Sequence, residues 1–128
     1  MKYSESLKKN DDFTRVYRKG RSKADRNLVL YTLATGSQRN HLGISVSKKV
    51  GNSVVRHHLA RLIREAYRLH EDEFRIGWDL VIVVRKGRAD ISYHEVERSL
   101  LFLANLLRVT EKGDKHEESS TVSDTVLS

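Results

Sequence analysis

The side chains best placed to do chemistry in this sequence are cations. Lys48 and Lys49 precede Gly51-Asn52, and Arg56, His57, His58, Arg61, Arg64 and Arg68 follow. His57, Arg61, Arg64 and Arg68 fall at i, i+4, i+7 and i+11, which is one side of a helix. Glu65 is the only acid in that run, so no i,i+4 acid–base ladder neutralises the row. Neighbouring like charges then cost a few tenths of a kcal/mol, about 0.2–0.5 per pair. The planar arginine fork matches phosphate geometry. The chemistry on offer is binding of a polyanion rather than bond making. A basic helix face is often simply solvated, but a row kept unneutralised at this cost points to nucleic acid.

No set of residues for catalysis accompanies the row. There is no Gly-rich loop ending in Lys-Ser/Thr and no Gly-x-Ser-x-Gly. His57 and His58 are adjacent, and one metal ion needs helical ligands three or four apart, so no metal site is expected. No pair of carboxylates marks a pocket, and no residue is expected to be catalytic. Cysteine is absent, which excludes disulfides and thiolate metal sites.

The elements that must position the cations can be read from periodicity. Val55, Leu59, Leu62, Ile63, Ala66 and Leu69 make an apolar stripe opposite the arginines, with Gly51 ending a strand and Asn52 as N-cap. Before it, Leu42, Ile44 and Val46 alternate with Gly43, Ser45 and Ser47, predicting a strand with a small, hydroxylic outer face. Ser45 and Ser47 are candidates for phosphate contact, or belong to an ordinary solvent-facing hairpin strand. Residues 1–9 read as a polar start and 20–26 as a basic loop. A short helix is expected from Asp11 to Lys19, capped by Asn10, with Phe13, Val16 and Tyr17 on one face. Asn27 to Leu33 and Asp79 to Val84 read as strands, the second buried on both faces. His70 to Gly77 reads as a charged connector, and Arg85-Lys86-Gly87-Arg88 as a basic turn. Ser92-x-x-Glu95 opens a last, apolar helix read as structural only. The three rings Phe13, Tyr17 and Tyr31 are either core or a partly exposed stacking surface.

Lys48-Lys49-Val50-Gly51-Asn52-Ser53-Val54-Val55-Arg56-His57-His58-Leu59-Ala60-Arg61-Leu62-Ile63-Arg64-Glu65 closely resembles the basic strand-turn-helix signature of the protein subunit of bacterial ribonuclease P. The chain keeps the two lysines, Gly51, Asn52, Arg56, Arg61, Leu62, Ile63, Arg64 and Glu65. It departs at His57, where Asn is usual, at His58, where Arg is usual, and at Ala60, where Lys is usual. The resemblance implies that Lys48, Lys49, Asn52, Arg56, His57, His58, Arg61, Arg64 and Arg68 contact the catalytic RNA; Arg64 could instead be a structural bridge, to the neighbourhood of Glu65 or to Asp12. It also implies that Phe13, Tyr17 and Tyr31, with Ser45 and Ser47 nearby, line a cleft for the 5′ leader of precursor tRNA. The implied cofactor is Mg²⁺, held mainly by the RNA subunit, which does the chemistry.

The rest of the chain is consistent with that expectation. The 128 residues suffice for one domain, with 24 basic and 17 acidic residues and a net charge of +7. Residues 110–128 carry two lysines and five acids, which leaves +10 on 1–109. We expect 1–109 to be a single RNA-binding domain and 110–128 a disordered acidic tail. No run approaches the roughly 18 apolar residues of a bilayer span, and the start lacks a signal-type apolar core. A cytoplasmic protein with no membrane and no small-molecule substrate is expected. The element order α-β-β-α-β-α predicts an α+β, two-layer sandwich with a small mixed sheet and helices mainly on one face. General rule would make its β-α-β crossover right-handed, whereas the resemblance implies a left-handed one. The other readings are a plain RNA-binding module, which needs no aromatic cleft, and a helix-in-groove DNA binder. The DNA binder needs a helix and short turn before its recognition helix, and here a strand stands there.

Overall fold

A computed structural model describes residues 1–111; the tail expected over 110–128 lies outside the described residues from 112 onward. Its elements are β1 (Ser4–Ser6), α1 (Asn10–Lys19), β2 (Arg21–Ala24), β3 (Leu28–Ala34), β4 (Asn40–Ser45), α2 (Ser53–His70), β5 (Trp78–Val84) and α3 (Tyr93–Leu106). The five strands form one sheet in the order β1-β4-β5-β3-β2. β1, β4 and β5 run parallel, and β3 and β2 are antiparallel to their neighbours. The sheet is therefore mixed, in an α+β fold.

Alternation along the two central strands sorts the core. Leu28 and Leu30 of β3, with Leu80, Ile82 and Val84 of β5, point to one face. There Leu59, Ile63, Ala66 and Tyr67 of α2 and Val96, Leu100, Leu103 and Ala104 of α3 cover them. Val81 of β5 points to the other face and packs with Val16 of α1 and Leu7, flanked by Phe13, Tyr31, Leu33 and Val83. Two helices thus cover one face and α1 covers part of the other.

The β4-α2-β5 crossover is left-handed, and a hydrogen bond shows it. Seen from the α2 side with β4 running upward, Leu42 points its side chain at the viewer. In a strand of L-residues its C=O then points to the right. That carbonyl accepts from Leu7 N at 2.9 Å, so β1 lies on the right and β5 on the left. The chain advances leftward through a helix in front of the sheet, against the general rule and as the resemblance implied.

Several local expectations are corrected. Residues 4–6 and 21–24, read as a polar start and a basic loop, are the two edge strands. Neither has apolar alternation, because an edge strand has little to bury and gains from charge. β3 and β4 do not form a hairpin, since β5 lies between them. Asn10 is the first residue of α1 rather than its cap, and Lys9 caps it without a side-chain bond. On α2, Leu69 is 56% exposed and Tyr67 takes its place in the core. Gly51 is required for space rather than for positive φ: an added Cβ would lie 2.8 Å from Val55 Cγ1. Thr110 is buried and bridges to Phe74, so the domain runs past Val109.

The expected charged connector from His70 is instead an anchor. Glu71 is buried, and its carboxylate accepts from Lys2 N at 2.7 Å, Tyr3 N at 2.9 Å and Ser4 Oγ at 2.7 Å. Because Ser4 gives its proton to Glu71, Tyr67 OH donates to Ser4 Oγ at 2.6 Å, and Asn40 Nδ2 donates to Tyr67 at 3.3 Å. Burial works against the Glu71 carboxylate, but these donors prevail and hold it below the ordinary carboxylate range.

His70, at the end of α2, clamps Glu73 through Nδ1 and Glu97 of α3 through Nε2, the latter at 2.7 Å. The bond to Glu73 raises the His70 pKa above 6.5; partial burial opposes this, and the bond to Glu97 adds to it. A raised folded-state pKa means that the clamp's contribution is complete below pH 6.5 and is lost as pH rises through the folded value. His70→Ala is therefore expected to lower stability more in mild acid than in alkali. Urea unfolding across that range checks this, and an equal loss at both ends would show that the imidazolium is not what matters.

Candidate nucleic-acid interface

α2 starts where Asn52 Oδ1 accepts from Val55 N at 3.0 Å. That cap uses the Asn52 carbonyl oxygen, so only its amide N–H groups remain for a ligand. Beyond the cap, His57, Arg61, Arg64 and Arg68 are all exposed and stand directly opposite the buried Leu59, Ile63 and Ala66. Lys48 and Lys49 are exposed in the turn before the helix, where Val50 N donates to Ser47 O at 3.0 Å.

The structure separates residues that the sequence grouped together. Arg56 stands about 140° round the helix from Arg61; it is half-buried, and its Nε has no partner within the protein. His58 is exposed but sits about 60° from the row, on the side of Leu62. Arg68 is bound by Glu65, with Nε donating at 3.2 Å. That bond lowers the Glu65 pKa and raises that of Arg68. The alternative bridge from Arg64 to Asp12 is not formed: Asp12 pairs with Arg15 at 3.4 Å. Arg64 instead lines a groove of about 150 Å³ with Phe13, Leu42 and Ile44, at the edge of β4 beyond the short β1.

The three rings form one cluster on the opposite sheet face. Tyr17 meets Tyr31 edge-on at 4.9 Å between centroids, and Phe13 lies 6.4 Å from Tyr17. Phe13 and Tyr31 are half-buried and Tyr17 is 39% exposed. Phe13 packs against Gly43, where an added Cβ would be 2.8 Å from Cε2 and Cζ of the ring.

Strand register shows what the rings border. Gly43 pairs with Val81 and Val81 with Tyr31, and α1 covers this row. In the next row Ser45 pairs with Val83, Val83 with Val29 and Val29 with Ala24. All four of these residues are only half-buried, and of the four only Val83 packs against the cluster under α1. The result is an open strip of sheet, small and weakly polar, with an aromatic wall. Ser45 belongs to it. Ser47 lies past the strand, exposed in the basic turn. Val29, Val83 and Gly43 were missed as site residues; alternation placed them on a face, but only the strand order sets them side by side.

Electrostatics differ between the two ends of that face. At one end buried Asp79 holds Arg15 of α1 at 3.1 Å and His41 Nδ1 at 3.0 Å, which ties α1 to the sheet. The other end runs out toward the Lys48-Lys49 turn.

Comparison with known proteins decides the family. The family model described as Ribonuclease P matches residues 1–108. The ribonuclease P protein component of Lachnoclostridium phytofermentans is 47% identical over 111 residues, 87% of this chain and 96% of that protein. This chain belongs to the ribonuclease P protein family. That of Alkaliphilus metalliredigens is 41% identical over 109 residues, 85% and 98% of the two chains. The solved RNase P protein of Staphylococcus aureus superposes with a TM-score of 0.71 at 34% identity, over 83% of this chain and 97% of that one. The Thermotoga maritima protein gives 0.72 at 28% identity, over 83% and 97%. The chain is accordingly the protein component of a ribonucleoprotein ribonuclease that matures tRNA 5′ ends, and its partner is the ribonuclease P RNA.

The packing of Phe13 on Gly43 is the part of this geometry most open to test. Gly43→Ala is expected to cost about 1–3 kcal/mol by overpacking. Combined with Phe13→Ala it should cost clearly less than the sum of the two. Urea unfolding of the four proteins measures the coupling, and additive losses would show that the ring does not rest on Gly43 in solution.

Proposed function

We propose that the chain serves ribonuclease P through two joined surfaces. The exposed row of Arg61, Arg64 and Arg68, with His57, Lys48 and Lys49, docks on phosphates of the catalytic RNA. The open strip beside Phe13, Tyr17 and Tyr31 takes the single-stranded 5′ leader of precursor tRNA. The observation that carries the leader assignment is the ring cluster bordering an uncovered row of sheet. Flat faces suit unpaired bases of any sequence, and a small-residue floor lets a backbone lie close. Arg64, in the groove beside Phe13, joins the two surfaces.

The protein's contribution is electrostatic and positional. Guanidinium and ammonium groups screen phosphate repulsion where substrate meets the catalytic RNA, and counterion release favours the complex. Holding the leader on the strip orients the scissile bond without any side chain touching it. Mg²⁺ is assigned to the RNA. Among the described residues no three His, Asp or Glu side chains gather as a cation site. The proposed compartment is the cytoplasm, where tRNA precursors are found; no described helix is long and apolar enough to cross a membrane.

Replacing Arg61 and Arg64 together by Ala is expected to weaken binding to the catalytic RNA. The slope of log affinity against log salt should fall by about 0.7–0.9 for each phosphate that is no longer neutralised. A salt titration with an unchanged slope would show a merely solvated face. The decisive assay is cleavage of precursor tRNA by the cognate RNA at limiting Mg²⁺, with and without the protein. Stimulation that fades as the leader is trimmed supports the strip, whereas stimulation independent of leader length reduces the protein to an RNA-docking module.

A further inference from the structure

Helix α3 carries a ring that the fold does not use. Phe102 is 43% exposed although its neighbours Leu100 and Leu103 are buried. It shares a helix side with Arg98 and Ser99. With Glu95, these line a cavity of about 330 Å³, whose other wall is the Asp25-Arg26-Asn27 turn between β2 and β3. Asn27 is buried; its Nδ2 donates to Ser99 Oγ at 3.0 Å, while its Oδ1 has no donor within the protein.

The two acids are already engaged in holding this wall. Asp25 Oδ1 accepts from the N–H groups of Asn27 and Leu28 at 2.8 and 2.9 Å. Glu95 accepts from Ser92 N at 3.1 Å in the α3 capping box and lies 3.9 Å from Arg26 Nη2. Two guanidinium groups, Arg26 and Arg98, remain at the rim, and both are exposed. An exposed ring face, a buried amide with a free acceptor and two arginines form the donor set for one nucleotide. The base stacks on the ring, its amino edge meets the amide, and its phosphate meets the guanidiniums.

The cavity also stands in line with the open strip. The row Ser45–Val83–Val29–Ala24 ends at Ala24, and the next three residues form the cavity wall. A strand leaving the strip over the β2 edge meets Phe102 next. We infer that this cavity binds a nucleotide of the single-stranded leader, farther from the cleavage point than the stretch lying on the strip. The inference rests on the leader reading above and extends it to the opposite side of the β2 edge.

Equilibrium binding of precursor tRNA to the holoenzyme tests it, comparing a leader that ends on the strip with one long enough to pass the β2 edge. Phe102→Ala is expected to lower the long-to-short affinity ratio about five-fold or more. Arg98→Gln should lower it as well, and Phe102→Tyr should retain it. Phe102 is exposed, so the Ala variant keeps the fold, which thermal unfolding verifies. An unchanged ratio overturns the inference. An equal loss for both leaders, or a loss of affinity for the catalytic RNA alone, gives the cavity to that RNA and overturns the leader assignment. If the wild-type holoenzyme binds these two leaders equally, the cavity adds nothing and the inference is overturned; if it also binds precursor with the leader trimmed short of the strip equally well, it is the strip reading that has failed. Binding of a single-stranded RNA oligonucleotide to the free full-length chain then decides the cavity: loss on Phe102→Ala upholds a nucleotide site, and no change rejects it.

Discussion

The end of α2 is held to the sheet by buried polar groups that satisfy one another in a directed chain. Asn40 donates to Tyr67, Tyr67 to Ser4, and Ser4 to the Glu71 carboxylate, which also takes the backbone N–H groups of Lys2 and Tyr3. On its other side Asn40 Oδ1 accepts from Gly77 N and Trp78 N, both at 2.9 Å. One network therefore fixes β1, β4, the last turn of α2 and the entry to β5. In a low-dielectric interior such a network is stable only when complete, because any group left unpaired costs its full desolvation. It determines the angle at which α2 lies on the sheet, and hence where the arginine row points.

The same constraint makes the two surfaces contiguous. β1 is only three residues long and pairs with β4 only from Asn40 to Leu42. Past Leu42 the β4 edge is open, and the groove of Phe13, Ile44 and Arg64 runs there. A longer β1 would close that edge and separate the basic helix from the aromatic strip. On the far face, α1 is pinned by the Arg15–Asp79 pair at one end and by Phe13 on Gly43. It therefore covers one row of the sheet and leaves the next bare. A partly buried ion pair is weak evidence of net stability; its role here is to fix where α1 stops.

Chemistry on this chain is confined to recognition. The cations of its basic helix have Glu65 alone to neutralise them, its rings are grouped but not sealed, and its buried carboxylates among the described residues, Glu71 and Asp79, are structural. The histidine with the clearest perturbation, His70, joins α2 to α3 through Glu97 and belongs to the scaffold. His57 and His58 extend the basic face in different directions, so only His57 adds to the row itself.

Much of this could be read from residue order, for physical reasons. The 3.6-residue recurrence of Leu59, Ile63 and Ala66 placed Arg61, Arg64 and Arg68 on the solvent side without any tertiary information, because a helix fixes the angle between its own side chains. Asn52 and the Ser92–Glu95 box marked helix starts, since capping is local. Alternation placed Ser45 on a face, but β1 and β2 left no signal: a three-residue strand held by Glu71 and a charged edge strand bury almost nothing of their own. Which rows adjoin depends on strand order, and that is set by packing between segments far apart in the chain. The groove that sets Arg64 beside Phe13, the open strip of Ser45, Val83 and Val29, and the cavity under Phe102 were decided there. The sequence by itself determined a basic helix and its class of partner. Only the tertiary structure decided what lies beside that helix, because side chains on different elements acquire a distance only when the core between them has formed.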